Sequence, residues 1–287
     1  MKAIVTGGAG FIGSHLVDSL LDENFAVTVL DNFSTGRVEN LEHVWEQVEI
    51  VECDLGVQGD WIRHFDNVDW VIHLAALADI VPSIQQPEAY FKANVEGTFN
   101  VLQAAKTAGV KRFIYIASSS CYGIPDNYPT SEDAEIRPQY PYALAKRIGE
   151  ELVMHWTQVY DFPALSLRFF NVYGPRQDPS SPYSGVISLF AQWAKQGKAP
   201  TVFGDGLQTR DFIFVSDVVK ANLLAADFQT SEPAPVVNIG TGQQTNLLEL
   251  WELICGAACT EVGEPHFEEV RPGDVRHSVA STQKAKS

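Results

Sequence analysis

Through the first 170 residues, short apolar runs alternate with longer stretches of helical periodicity. Runs rich in β-branched and aliphatic residues occupy 3–6, 26–30, 48–53, 70–74, 112–117 and 164–168, each the length of a strand. Between them, apolar residues recur at helical spacing, most clearly over 86–108 and 141–160. This order predicts an α/β fold with a doubly wound parallel sheet. Two loops rich in turn residues, 123–139 and 174–184, follow strands ending near 117 and 170. They therefore belong at the carboxyl edge of the sheet, where ligands bind in this architecture. Beyond about 175 the alternation breaks down. The expectation is a first domain over 1–175, with elements from about 211–240 returning to it, and a smaller α/β lobe over 176–287. The final run Ser281-Thr282-Gln283-Lys284-Ala285-Lys286-Ser287 reads as a helix just beginning, so the lobe is expected to lack a C-terminal helix.

Composition narrows the function classes. The 287 residues are 45% hydrophobic and 20% charged, ordinary values for a globular chain. A formal net charge of −16 argues against a nucleic-acid partner, which requires a basic face. An anionic ligand must then be held by local arginines acting inside a screening length of about 8 Å. Cys53, Cys121, Cys255 and Cys259 lack metal-ligand spacing, so no metal is expected. A strand opening at residue 3 leaves no room for a signal peptide, and no apolar run reaches membrane-spanning length. A cytoplasmic protein without a membrane partner is the expectation.

The first candidate chemistry is the turn Thr6-Gly7-Gly8-Ala9-Gly10-Phe11-Ile12-Gly13. It joins the first strand to an apolar-periodic helix carrying Leu16, Val17 and Leu20. Strand, glycine turn and helix N-terminus form the context of a dinucleotide fingerprint, with the diphosphate on free N–H groups at the positive end of the helix. Asp31 closes the second strand about twenty residues on. A carboxylate there accepts hydrogen bonds from ribose hydroxyls and repels a 2′-phosphate, which favours NAD over NADP.

Tyr142 and Lys146 share one helix face at i, i+4, and the strand ahead of that helix ends in Ser118-Ser119-Ser120. A tyrosine of ordinary pKa, near 10, is a poor base at neutral pH, and lowering it by three units takes roughly 4 kcal/mol. Lys146 and the nicotinamide cation are the expected source, with Ser118 as a hydrogen-bond relay to the substrate hydroxyl. His73, among Trp70, Val71, Ile72 and Leu74, reads as structural.

Together these features resemble a family. The glycine turn, Ser118 four residues ahead of Tyr122-Gly123, the Tyr142/Lys146 pair and Arg168-Phe169-Phe170-Asn171-Val172-Tyr173-Gly174-Pro175 are similar to the extended short-chain dehydrogenase/reductases, within them the nucleotide-sugar 4-epimerases. The resemblance spans 2–287. It implies an N-terminal Rossmann domain, a C-terminal sugar-nucleotide lobe, and a homodimer built as a four-helix bundle from 86–108 and 141–160. By position it implies cofactor contacts from Gly7, Gly10, Phe11, Ile12, Asp31, Asn32, Ser34, Thr35, Gly36, Asp54, Leu55, Leu74, Ala75, Ala76, Ala78 and Asn94, with Tyr142 and Lys146. For the substrate it implies Ser118, Asn171, Arg210, Arg271, Asp274 and Ser278, the two arginines suiting a diphosphate and Asp274 the uridine ribose.

The implied reaction is NAD-dependent 4-epimerisation of a UDP-hexose through a 4-keto intermediate. Related dehydratases place an acid–base pair after the catalytic serine or threonine, whereas this chain has Ser119-Ser120. Decarboxylating relatives resemble a pattern with a carboxylate at that point. Ser278, four residues after Asp274, replaces the tyrosine that restricts family members to unmodified hexoses. UDP-GlcNAc/UDP-GalNAc is therefore expected beside UDP-glucose/UDP-galactose. A UDP-glucuronate 4-epimerase is the alternative, because Ser119, Ser120 and 174–184 could meet a carboxylate. A reductase that releases its cofactor each cycle is a further alternative. A non-enzymatic NAD sensor is disfavoured, because Ser118, Tyr142 and Lys146 are all present.

Overall fold

A computed structural model describes residues 1–178, 185–228, 235–259, 263–270 and 275–287. Seven parallel strands form one sheet: β1 (Lys2–Thr6), β2 (Ala26–Asp31), β3 (Glu49–Glu52), β4 (Trp70–His73), β5 (Arg112–Ser118), β6 (Ala164–Phe169) and β11 (Val236–Ile239), in the order β11-β6-β5-β4-β1-β2-β3. Strand order reverses between β1 and β4, so their carboxyl ends open a crevice at that switch point.

Successive side chains leave opposite faces of a strand. Ala3, Val5, Val29, Ile114 and Ile116 bury on one face, with Leu16, Val17 and Leu20 of α1 (Phe11–Asp22) and Val218 and Val219 of α7 (Val215–Asp227). Ile4, Leu30, Val71, Phe113 and Tyr115 bury on the other face. They meet Val101 and Leu102 of α4 (Gly97–Ala108) and Val153 and Trp156 of α5 (Pro141–Tyr160). Gly13 is required where α1 crosses the turn, because a Cβ there would collide with the Gly7 carbonyl oxygen.

Strand ends differ from the sequence expectation by a residue or two, and α5 has the expected bounds. The helix expected over 86–108 is interrupted. Its first piece, α3 (Pro87–Phe91), runs into a wide π turn at Lys92–Glu96 before α4 begins. That extra residue per turn turns Asn94 inward, where its amide is 1% exposed. A shorter helix, α2 (Ile80–Gln85), precedes α3.

The later chain forms short elements: β7 (Asn171–Tyr173), α6 (Val186–Lys195), β8 (Thr201–Phe203), β9 (Thr209–Arg210), β10 (Phe212–Phe214), β12 (Thr245–Asn246), α8 (Leu247–Ala258), β13 (His266–Glu268) and β14 (His277–Ser278). Phe190 and Ala194 of α6 pack with Val202, Leu250 and Trp251 as a separate small core. Asp211, fully buried, fastens this region to the sheet. Its carboxylate accepts from Thr241 N and Oγ1 at 2.7 and 2.6 Å, Gly242 N at 2.9 Å and Ala280 N at 3.0 Å. The chain's last element is α9 (Gln283–Lys286). No helix among the described residues is long and apolar enough to cross a membrane. All four cysteines are free thiols.

Candidate functional site

A cavity of about 560 Å³ lies over the switch point. Its walls include every residue expected at the cofactor except Asn94: Gly7, Gly10, Phe11, Ile12, Asp31, Asn32, Ser34, Thr35, Gly36, Asp54, Leu55, Leu74, Ala75, Ala76, Ala78, Tyr142 and Lys146. Gly7 takes φ +68°, and a Cβ on it would lie 2.8 Å from Ala75 N, so the turn and the loop after β4 touch there through their main chains. Gly10 is the N-cap of α1, whose first turn contains no acidic side chain. The first N–H groups of that helix have no acceptor within it and open onto the cavity wall at Gly10–Gly13.

At the far end, the Asp31 carboxylate accepts from Ala9 N and Phe33 N, each at 2.9 Å. Burial raises its pKa and the backbone donors oppose the shift. Each oxygen still has lone-pair capacity for a further donor. Anion-ready N–H groups at one end and a fixed carboxylate at the other fit a dinucleotide with an unphosphorylated ribose. Cys53, Gly56 and Lys92, absent from the sequence expectation, also line this cavity. Lys92 pairs with Asp54 at 2.9 Å and holds that carboxyl below its usual pKa.

Asn94 stands behind the wall rather than in it. Its side chain donates to Leu77 O at 2.9 Å and accepts from Leu77 N at 2.8 Å, clamping the loop that supplies Leu74–Ala78. The π turn places it there, a bend its mid-helix setting does not announce. His73 completes the support. Thr98 Oγ1 donates to Asn94 O at 2.7 Å, so it accepts from His73 Nε2–H at 3.0 Å. His73 Nδ1 then accepts from Thr6 Oγ1 at 2.7 Å, and Thr6 Oγ1 accepts from Ala75 N at 3.2 Å. Burial, with the nearby Lys146 charge, pushes the His73 pKa down to about 3, so the ring is neutral.

A second cavity, about 670 Å³, opens beside the first. The two share Ala78, Ser118, Tyr142, Phe170 and Val172. Its remaining lining includes Asn171, Arg210 and Ser278 from the expected substrate set, and Asp79, Tyr140, Gln208 and His277, which were not expected. Arg271 and Asp274 lie outside the described residues. Asn171 Nδ2 donates to Asp211 O at 3.3 Å and Arg210 Nη1 to Thr209 O at 2.9 Å.

On the shared wall, Ser118 Oγ accepts from Ser120 N at 3.2 Å and Ser120 Oγ at 2.9 Å, leaving its own proton to donate. Ser118 hydrogen-bonds Tyr142. The ring of Tyr142 is braced edge-on by Tyr90, centroids 6.4 Å apart. Burial raises the Tyr142 pKa and the Ser118 hydrogen bond only partly offsets it. The Lys146 ammonium turns onto the Tyr115 ring, 4.5 Å from its centroid, although both side chains leave the same helix face. Burial pushes Lys146 down to about 7, opposed by the Glu150 charge. Glu150, 1% exposed, pairs with the buried Arg168 through bonds of 2.7 and 3.0 Å. Arg168 in turn donates to Tyr122 Oη at 2.7 Å, and Tyr122 to Asn238 Oδ1 at 2.7 Å. The sequence marked Arg168 only as part of a motif; its buried partner sits eighteen residues away.

The family described as NAD dependent epimerase/dehydratase matches residues 3–240. The UDP-glucose 4-epimerase of Mycolicibacterium smegmatis is 37% identical over 295 residues, covering 100% of this chain and 91% of that protein. A UDP-N-acetylglucosamine 4-epimerase from Methanobrevibacter ruminantium M1, solved with UDP-N-acetylmuramic acid, superimposes with a TM-score of 0.95 at 36% identity, covering 99% of this chain and 90% of that one. A UDP-glucose 4-epimerase from Thermotoga maritima, solved with UDP-glucose, gives 0.94 at 36% identity, covering 100% and 91%.

Proposed function

The chain belongs to the NAD dependent epimerase/dehydratase family, and from that premise we propose that it interconverts the C4 epimers of UDP-glucose and UDP-galactose, and of UDP-GlcNAc and UDP-GalNAc. It is a UDP-sugar 4-epimerase, an isomerase with NAD as cofactor. The observation that carries the reading is the wall shared by the two cavities, where Ser118 and Tyr142 face both.

Gly7, Gly10, Phe11 and Ile12 hold the diphosphate of the cofactor on the start of α1, Asp31 holds a ribose, and Asp54 and Leu55 flank the adenine. Asn94 acts on that site through Leu77. NAD, when bound, supplies the hydride acceptor for C4 and positive charge within the cofactor cavity. Tyr142, as phenolate, takes the proton of the C4 hydroxyl and later returns it. Ser118 donates to the sugar oxygen and relays between it and Tyr142. Lys146, close to Tyr115, adds positive potential to that wall in its protonated form. Asn171 and Arg210, with Arg271 and Asp274, hold the UDP portion.

Ser278 is small where it meets the second cavity, which supports room for an N-acetyl group. Residues 1–175 form the cofactor domain, with 211–240 returning to it, and 176–287 the sugar-nucleotide lobe. Phe91, Phe99, Leu144 and Val159 are exposed on α3, α4 and α5, which supports a homodimer joined through those helices. The test is proton NMR of the purified protein with UDP-glucose or UDP-GlcNAc and no added NAD. The anomeric signal of the galacto epimer is expected with each sugar. Absence of both, with NAD shown to be bound, overturns the reading.

A further inference from the structure

Asp79 is an ionisable residue of the second cavity that the chemistry above leaves unused. It is the N-cap of α2, a position where aspartate ordinarily accepts a backbone N–H of the first helical turn. Here the side chain makes no capping bond. Its main-chain oxygen accepts from Ser83 N at 3.3 Å, while the Ser83 hydroxyl turns to Ile80 O at 2.6 Å. Burial raises the carboxyl pKa, and no hydrogen bond or ion pair within the described residues acts against it. Its negative charge adds to the raised pKa of Tyr142, which lines the same cavity. Among the described residues lining this cavity, Arg210 and His277 are the other ionisable side chains apart from tyrosines, and both come from the lobe, on β9 and β14. The Tyr142 end of the cavity therefore carries an uncompensated acidic group.

We propose that Asp79 selects the substrate by charge: its carboxylate accepts a hydrogen bond from a hydroxyl of a neutral hexose and excludes sugars that carry a carboxylate, uronic acids in particular. This rests on the 4-epimerase reading and sharpens it, because it separates hexose from uronate. An uncompensated like charge in a partly desolvated site is an effective repulsive element, and specificity is commonly built that way.

The test compares UDP-glucose with UDP-glucuronate at pH 8. kcat/KM is measured by NMR and Kd by calorimetry, for the wild type, Asp79→Asn, Asp79→Glu and Asp79→Ala. The wild type is expected to favour UDP-glucose. Asp79→Asn and Asp79→Ala should each raise the glucuronate-to-glucose ratio at least about tenfold, in both measurements, as removal of a like-charge contact implies. Asp79→Glu keeps the charge and should keep the discrimination, which a merely structural role at the cap would not produce. An unchanged ratio in both neutral variants, or a wild type that prefers UDP-glucuronate, overturns the proposal while leaving 4-epimerisation intact. If the wild type epimerises neither sugar the parent reading fails, and the Kd ratio still decides the role of Asp79.

Discussion

The cofactor cavity is walled mainly by main chain and small side chains, with Gly7, Gly10, Ala75, Ala76 and Ala78 leaving peptide groups close to whatever binds. The neighbouring cavity is walled by side chains from scattered segments: Asp79 after β4, Ser118 at the end of β5, Asn171 on β7, Arg210 on β9 and Ser278 on β14. The first is braced from behind by the buried Thr6–His73–Thr98–Asn94 chain, while the buried Glu150–Arg168 pair of the frame reaches Tyr122 in the wall of the second. The second rests partly on strands of two or three residues. The lesson is that one cavity is fixed by the frame and the other is adjustable. Changes behind the first should cost stability, and changes in the second should redirect selectivity.

The largest expected effect lies where the cavities meet. Tyr142→Phe removes the proton acceptor and should lower kcat by about a thousandfold. Cofactor content, measured by absorbance after denaturation, should fall far less. Equal loss of both would erase the distinction between holding the cofactor and performing the chemistry.

Behind the wall, Glu150→Gln leaves the Arg168 guanidinium buried, 3% exposed, without its counter-charge. Urea denaturation should show a loss of about 3 kcal/mol or more. A change near zero would mean that the pair does not brace the frame.

His73 gives the next effect, with a defined sign. Its folded pKa of about 3 lies below the unfolded value near 6.5, so the unfolded chain binds the extra proton between them. Stability is therefore complete above pH 6.5 and falls as pH drops toward 3. Between pH 7.5 and 5 the contribution to the loss is about 2 kcal/mol, and His73→Gln should remove that part of the slope in denaturation measured against pH.

The smallest effect tests the adjustable side. Ser278→Tyr should reduce kcat/KM for UDP-GlcNAc relative to UDP-glucose by roughly tenfold, about 1.4 kcal/mol, with the denaturation midpoint held. Loss of stability without a change in preference would place Ser278 with the frame instead.

The same contrast explains what could be read in advance. Alternating apolar runs determine the sheet because its central strands are buried on both faces, and the glycine turn and Asp31 are legible because the chemistry is local in sequence. The Tyr142/Lys146 spacing correctly put both residues on the wall, yet spacing carries no rotamer, and Lys146 settles on Tyr115. Asn94 was placed at the cofactor by the family resemblance, which gives position but not the π turn at Lys92–Glu96 that sets its side chain behind the wall. Asp79 was missed because nothing local distinguishes a cavity carboxylate from a helix cap. In the lobe, two-residue strands such as β9 and β14 are too short to carry a period, and their pairing depends on residues nearly seventy positions apart.

The most direct test of the joined cavities follows the hydrogen at C4. UDP-glucose deuterated at that carbon should give UDP-galactose with the deuterium still at C4, read by NMR and mass spectrometry, because a hydride that is held on carbon and returned to the same sugar does not exchange with water. Replacement of that deuterium by solvent hydrogen, or a product altered at any other carbon, would contradict the account.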